Sequence, residues 1–170
     1  MPTLTQPLHD EHTELFPHVD RILQVAGTIT NGRVVELRSG LDEIYSFLAH
    51  HLLAHAQAEE AALYPVVQKA LGSPEATRTM SRDHVEIRSY IEELAALKGG
   101  LGDDSLTKAQ AASLRRILYG LYALLKLHFA KEEEVYLPIL DKFLTADGAR
   151  SMFEKMEDAA EKAKQALALA

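Results

Sequence analysis

The sequence predicts an all-α fold, an antiparallel up-down-up-down four-helix bundle with an additional C-terminal helix, on three observations. Apolar residues recur at helical spacing along nearly the whole chain, and strand-like alternation is absent. Four long periodic segments are joined by short connections, which makes neighbouring helices antiparallel. The chain also repeats itself. His55-Ala-Gln-Ala-Glu59-Glu60 and His128-Phe-Ala-Lys-Glu132-Glu133 are each followed by a proline (Pro65, Pro138) placed identically after the histidine. Asp10-Glu11-His12-Thr13-Glu14-Leu15 matches Arg82-Asp83-His84-Val85-Glu86-Ile87 in the same way. His12 and His84 lie 72 positions apart and His55 and His128 lie 73 apart, so two hairpins of one design follow each other.

The first helix is expected from about Leu8 to Ala26 or beyond, with Leu15, Val19, Ile22 and Leu23 inward. Pro17 lacks a backbone donor and should kink or reset it. A turn near Asn31-Gly32 leads to a second helix from about Val34 to Leu71, striped by Leu37, Leu41, Ile44, Leu48, Leu52 and His55. Gly72 suits its C-terminal cap, and Ser73-Pro74 suits an N-cap with proline at the first position of the third helix. That helix carries Met80, His84, Ile87, Ile91 and Leu94 on one face and stops at Gly99-Gly100. After a short polar loop to Asp104, Thr107 and Gln110 have the form of a capping box. The fourth helix follows, with Leu114, Ile117, Leu118, Leu121, Leu125, His128 and Ile139 inward, and Pro65 and Pro138 should bend their helices. From Thr145 to Leu169, Met152, Phe153, Met156, Ala160 and Ala163 fall at helical spacing in an alanine-rich segment. The expected organisation is a bundle over residues 1–144 and a helix over 145–170, packed on the bundle or at a dimer interface.

A chain of 170 residues, 47% hydrophobic and 25% charged, can bury a core without covalent staples. The absence of cysteine excludes disulfides, thiolate metal sites and iron–sulfur clusters. A net charge of −7 without a basic patch makes nucleic acid a poor partner. No apolar stretch approaches membrane-spanning length and no signal-peptide pattern opens the chain, so the expectation is a cytoplasmic protein, monomeric or homodimeric, without a membrane partner.

On a helix, residues four apart share a face, so each His-x-x-x-Glu presents an imidazole and a carboxylate together. A lone helical histidine is ordinarily a surface or satisfied core residue, and that reading is taken for His9 and His18. Four histidines and two glutamates in duplicate register differ, because burying unpaired imidazoles beside unpaired carboxylates is costly and a metal removes the cost. Four imidazoles shared by two metals give two each. If Glu59 and Glu132 bridge, each metal gains two oxygen donors and keeps open positions. Nitrogen and oxygen donors without sulfur suit iron, manganese or zinc, and redox use favours iron.

His12, His55-x-x-x-Glu59, His84 and His128-x-x-x-Glu132, with the trailing Leu-Tyr-Pro and Tyr-Leu-Pro, resemble the hemerythrin-like family, the HHE cation-binding proteins, over roughly residues 8 to 144. The resemblance implies two iron ions bridged by oxo or hydroxo, meeting dioxygen, peroxide or nitric oxide. It makes His12, His55, His84 and His128 terminal metal ligands, and Glu59 and Glu132 bridges. The chain departs from the oxygen carriers of that family in having Arg88 four residues after His84, where they have a histidine, and Glu132 and Glu133 where they have an aspartate. His51, one turn before His55, is a candidate fifth ligand, although its counterpart in the second hairpin is Leu124, and Glu133 is a second candidate to join the ligands. Glu133, Glu60, Arg88, Tyr64 and Tyr136 are candidates to surround the site, with Tyr136, four residues after Glu132, the better placed tyrosine.

An open metal position favours a redox, peroxide-consuming protein of peroxidase or catalase-like activity. The alternatives are reversible dioxygen storage or sensing, and an iron- or oxygen-responsive regulatory module without turnover. Ferritin-like chemistry is disfavoured, since those bundles carry Glu-x-x-His, the reverse order. No nucleotide-binding motif is present, so an electron donor must be external.

Overall fold

The computed structural model describes residues 3–29, 34–102 and 105–168; the turn expected at Asn31-Gly32, Asp104 and Leu169 lie outside them. The first helix, α1 (Gln6–Thr28), runs on through Pro17. Pro17 is exposed, so the Thr13 carbonyl that it leaves unpaired faces water. Leu8, His12, Val19 and Ile22 are buried as one stripe. Leu23, expected inward, is 38% exposed, because it lies about 100° past Ile22 and off the edge of that narrow seam.

The second helix, α2, spans residues 34–71 and twice widens into a π turn, at Leu48–Leu52 and at Glu59–Leu63. Gly72 ends it at φ +65°, the left-handed conformation that costs glycine nothing, and Ser73 N–H closes the cap on the Gln68 carbonyl at 3.0 Å. The third helix, α3 (Arg78–Gly99), starts later than Ser73-Pro74 suggested. The intervening residues form turns instead, pinned by Gln68 donating to Thr77 Oγ1 at 2.7 Å and Tyr136 donating to the Ala76 carbonyl at 2.8 Å. These anchors on other helices override the local helix signal.

The loop before the fourth helix is not simply polar. Leu101 and Leu106 are buried, and Arg38 donates to the Leu101 carbonyl at 2.7 Å. The fourth helix, α4, spans residues 108–143, opens with the Thr107–Gln110 capping box and contains a π turn at Glu132–Tyr136. Ile139 was expected inward, eleven residues after His128 and thus nearly in phase on an α-helix. The π turn inserts one residue, so Leu140 takes the buried place and Ile139 is only partly buried. The last helix, α5 (Ala146–Ala168), packs along residues 53–63 of α2.

The chain is all-helical, with no strand among the described residues. Each of α1 and α3 packs against both α2 and α4, which closes a ring of four helices. A long apolar core, from Ile29 and Leu101 to Phe129, fills one end of the ring. A second cluster surrounds the π turns at the other end and includes Leu8, Leu63, Tyr64, Met80, Leu137 and, from α5, Met152 and Met156. No helix among the described residues is long and apolar enough to cross a membrane.

Candidate metal centre

Two of the π turns begin at the glutamates of the repeated motif, Glu59 and Glu132. Each is followed within two residues by the motif's proline, Pro65 or Pro138. A proline cannot donate to the carbonyl four residues back, and its ring pushes that carbonyl away. The helix accommodates this by widening: Tyr64 N–H bonds the Glu59 carbonyl and Leu137 N–H the Glu132 carbonyl, five residues back in both cases. Each carboxylate is thereby carried inward at the end of a regular turn that starts from its histidine.

The six side chains singled out from the sequence meet between the helices. His12 and His55 lie on one side, His84 and His128 on the other, and Glu59 lies between the pairs. Its Oε1 is 2.9 Å from His55 Nε2 and 3.9 Å from His12 Nε2. Its Oε2 is 3.2 Å from His84 Nε2 and 3.8 Å from His128 Nε2. Glu132 spans the same gap, with Oε2 3.5 Å from His12 Nε2 and Oε1 3.5 Å from His128 Nε2. Two donor sets result, His12, His55, Glu59 and Glu132 in one, and Glu59, His84 and His128 in the other, each with its donor atoms within 4.8 Å. All are buried except His84, whose side chain is 10% exposed.

Every histidine turns its other nitrogen onto a carboxylate. Glu133 lies 2.5 Å from His12 Nδ1, Glu11 2.9 Å from His55 Nδ1, Glu60 2.8 Å from His84 Nδ1 and Asp83 3.2 Å from His128 Nδ1. The pattern has the two-fold symmetry of the repeat. The acid before each first histidine serves the second histidine of its own hairpin, and the acid after each inner glutamate serves the first histidine of the other. These partners assign the proton to Nδ1 and aim the Nε2 lone pair inward, the arrangement of a metal-ligating histidine. Beyond them, His9 Nδ1 pairs with Glu133 and the Ser81 hydroxyl donates to Glu60 at 2.9 Å, from equivalent positions of the two hairpins. His9, expected to be a surface or satisfied residue without a metal role, is half-buried and satisfied by Glu133. Glu11 and Asp83 escaped the sequence reading, although both precede a repeated histidine and stood in the alignment.

The centre leaves inward atoms without hydrogen-bond partners: Nε2 of His12 and His55, both oxygens of Glu59, and Oε2 of Glu132. Lone pairs facing lone pairs in a buried space repel unless a cation lies between them. The residues therefore fit a metal ion. Without one, protons are drawn in. Burial opposes charge on His55 and His128, yet Glu59, Glu11, Glu132 and Asp83 outweigh it, raising His55 well above the ordinary histidine value and His128 to about 9. Burial opposes ionisation of Glu59 as well, but the surrounding imidazoles, His55 foremost, hold it well below the usual carboxylate range. Burial and the Glu59 charge push Glu132 up to about 7.

A pH dependence follows. A group whose value is raised on folding contributes stability that is present below its unfolded value and lost as pH climbs through its folded value. For His128 that window runs from 6.5 to about 9, and for Glu132 from 4.5 to about 7. The metal-free protein is therefore expected to lose these contributions as pH rises. Metal-loaded protein, in which the ion has displaced the protons, does not lose them. The gap in melting temperature between the two forms should widen from pH 6.5 to 9 in thermal unfolding; a constant gap would mean that no metal competes for these nitrogens.

The remaining candidates divide. Tyr64 reaches the centre and Tyr136 does not. The Tyr64 hydroxyl donates to Glu132 Oε1 at 3.0 Å and lies 3.4 Å from His84 Nε2, with its ring stacked on His84. Burial, together with Glu59 and Glu132, raises its pKa far above the tyrosine range, so it stays a neutral donor. Tyr136 faces the Ala76 carbonyl instead. The π turn is the reason, since its extra residue brings position five after the glutamate under the carboxylate in place of position four. His51 is exposed beside Glu14, His18 and Phe47, and contributes no atom to either donor set. The π turn at Leu48–Leu52 breaks the α register ahead of His55, which takes His51 off its face. Arg88 is exposed and lines a cleft beside His84.

The model of the Hemerythrin HHE cation binding domain matches residues 3–140. No curated protein and no solved structure matches the chain. The family match covers most of the chain and every residue of both donor sets, which leaves α5 outside it. The chain belongs to the hemerythrin HHE cation-binding family.

Proposed function

We propose that this chain is a non-haem diiron protein that consumes hydrogen peroxide, with dioxygen and nitric oxide as further ligands of the same site. His12 and His55 would hold one iron, His84 and His128 the other, and Glu59 and Glu132 would bridge them. The observation that carries this reading is Glu59, whose two unpartnered oxygens face opposite histidine pairs. Nitrogen and oxygen donors without sulfur suit iron, manganese or zinc, and the redox role selects iron. Bound there, the two irons would supply a pair of electrons and Lewis-acidic positions for a small ligand.

The protein's own groups do the rest. The four outer carboxylates hold the imidazoles in one tautomer. The Tyr64 hydroxyl offers a neutral donor beside Glu132 and His84. This donor supports turnover over reversible holding. The reading takes α1–α4 as an up-down-up-down core over residues 1–144, with 145–170 added to it, and leaves electron supply to an external donor.

The test is metal content per chain with the ultraviolet–visible spectrum before and after peroxide. Two irons and a near-ultraviolet band that responds to peroxide are expected. Two irons inert to peroxide would favour storage or sensing, and zinc or less than one metal per chain after anaerobic iron loading would overturn the reading.

A further inference from the structure

We propose that small inorganic anions reach the centre through the cleft between α2 and α3, and that Arg88 at its mouth selects for them. This rests on the reading of the site given above. The cleft, of about 250 Å³, is lined by Ala56, Gln57, Glu60, Ser81, His84, Val85 and Arg88 among others. It is large enough for a few-atom ligand and leads to His84, the least buried of the four histidines that face the centre. His84 belongs to the donor set of three, while the opposite set has four. Behind His84, the buried Tyr64 hydroxyl lies 3.4 Å from its Nε2.

The mouth carries one carboxylate and one guanidinium, and only the guanidinium lacks a partner among the described residues. Glu60 is the carboxylate that lines the cleft, and both its oxygens are engaged, Oε1 by His84 and Oε2 by Ser81. Arg21, Arg78, Arg82, Arg116 and Arg150 each pair with a carboxylate. Arg88 makes no such pair among the described residues, and its guanidinium is exposed. A guanidinium with free donors at the mouth of a cleft offers a passing anion charge-assisted hydrogen bonds and speeds its arrival in a way that salt suppresses, whereas the oxygens of Glu60 are already engaged. A neutral ligand of the same size feels the width of the passage and not the charge.

The experiment uses full-length, iron-loaded protein and stopped-flow absorbance, with azide as the anionic probe and nitric oxide as the neutral one. Three variants are compared: Arg88→Glu, Val85→Trp, and Arg150→Glu as a control of equal charge change on α5. Arg88 and Val85 are exposed, so neither substitution disturbs the core. Arg88→Glu is expected to slow azide binding roughly 3- to 10-fold at low ionic strength, less at high salt, and to leave nitric oxide unchanged. Val85→Trp should slow both probes several-fold, and Arg150→Glu neither. Equal azide rates for Arg88→Glu and Arg150→Glu would overturn the selective role, and unchanged rates for Val85→Trp would overturn the route. Metal content of the same samples separates the two readings. Two irons with azide indifferent to Arg88 condemns this inference alone, whereas fewer than two irons condemns the diiron reading and this inference with it.

Discussion

Glu59→Ala is expected to reduce bound iron from two per chain to below one, the largest effect of any single substitution. Glu59 is the one side chain common to both donor sets, so its loss removes an oxygen from each position at once. Changes one shell further out typically cost 10- to 100-fold in metal affinity, and removal of a shared ligand should exceed that at both positions. The same substitution also removes the charge that most strongly favours protonated His55. The melting-temperature gain on iron loading should collapse along with the stoichiometry. Glu132→Ala makes the comparison sharp. Glu132 would bridge as well, but it shares its Oε1 with Tyr64 and stands 3.5 Å from both His12 and His128, so its loss should cost less and leave about one iron. Metal analysis after dialysis at fixed free iron reads both. Equal losses from the two variants would show that Glu59 holds the pair no more firmly than Glu132 does.

Tyr64→Phe should leave both irons in place and slow peroxide consumption about 100- to 1,000-fold, the scale of losing one preorganised donor. The substitution removes a single oxygen from a side chain that is 1% exposed and preserves the packing of its ring on His84. The internal repeat supplies the control, since the equivalent place after the π turn of α4 is filled by Leu137, which offers no donor. The fold therefore does not require a hydroxyl at this position. Metal-free Tyr64→Phe should also unfold more easily by about 1.5–3 kcal/mol, the usual worth of a hydrogen bond to a charged group. Iron stoichiometry, peroxide decay and denaturant unfolding on one preparation settle the matter. An unchanged decay rate would reduce Tyr64 to a structural partner of Glu132.

The legible part of this molecule lay in patterns that are local and redundant. Leu37, Leu41, Ile44, Leu48 and Leu52 repeat at helical spacing and are buried, and the Thr107–Gln110 box caps α4. Gly72 ends α2 with the positive φ that only glycine adopts freely. His55 with Glu59 and His128 with Glu132 share faces because a regular turn separates them. Each of these depends on neighbours within four or five residues. The errors share another origin. Tyr136 in place of Tyr64, Ile139 in place of Leu140, and His51 as a ligand candidate all follow from carrying an unbroken α period across a π turn. A π turn has no composition of its own. Pro65 and Pro138 marked where the helices would be disturbed and not that the disturbance would insert a residue.

The sequence by itself determined the all-helical class, the internal repeat and the six side chains that meet between the helices, because residue type and spacing along a helix decide which groups share a face. Only the tertiary structure decided that Glu11 and Asp83 back His55 and His128, that Glu60 and Glu133 cross to the other hairpin, and that Tyr64 reaches Glu132. Those contacts join separate helices, and their partners follow from the phase in which each helix leaves its π turn. One inserted residue rotates every later side chain by about 100°, and no local pattern records it.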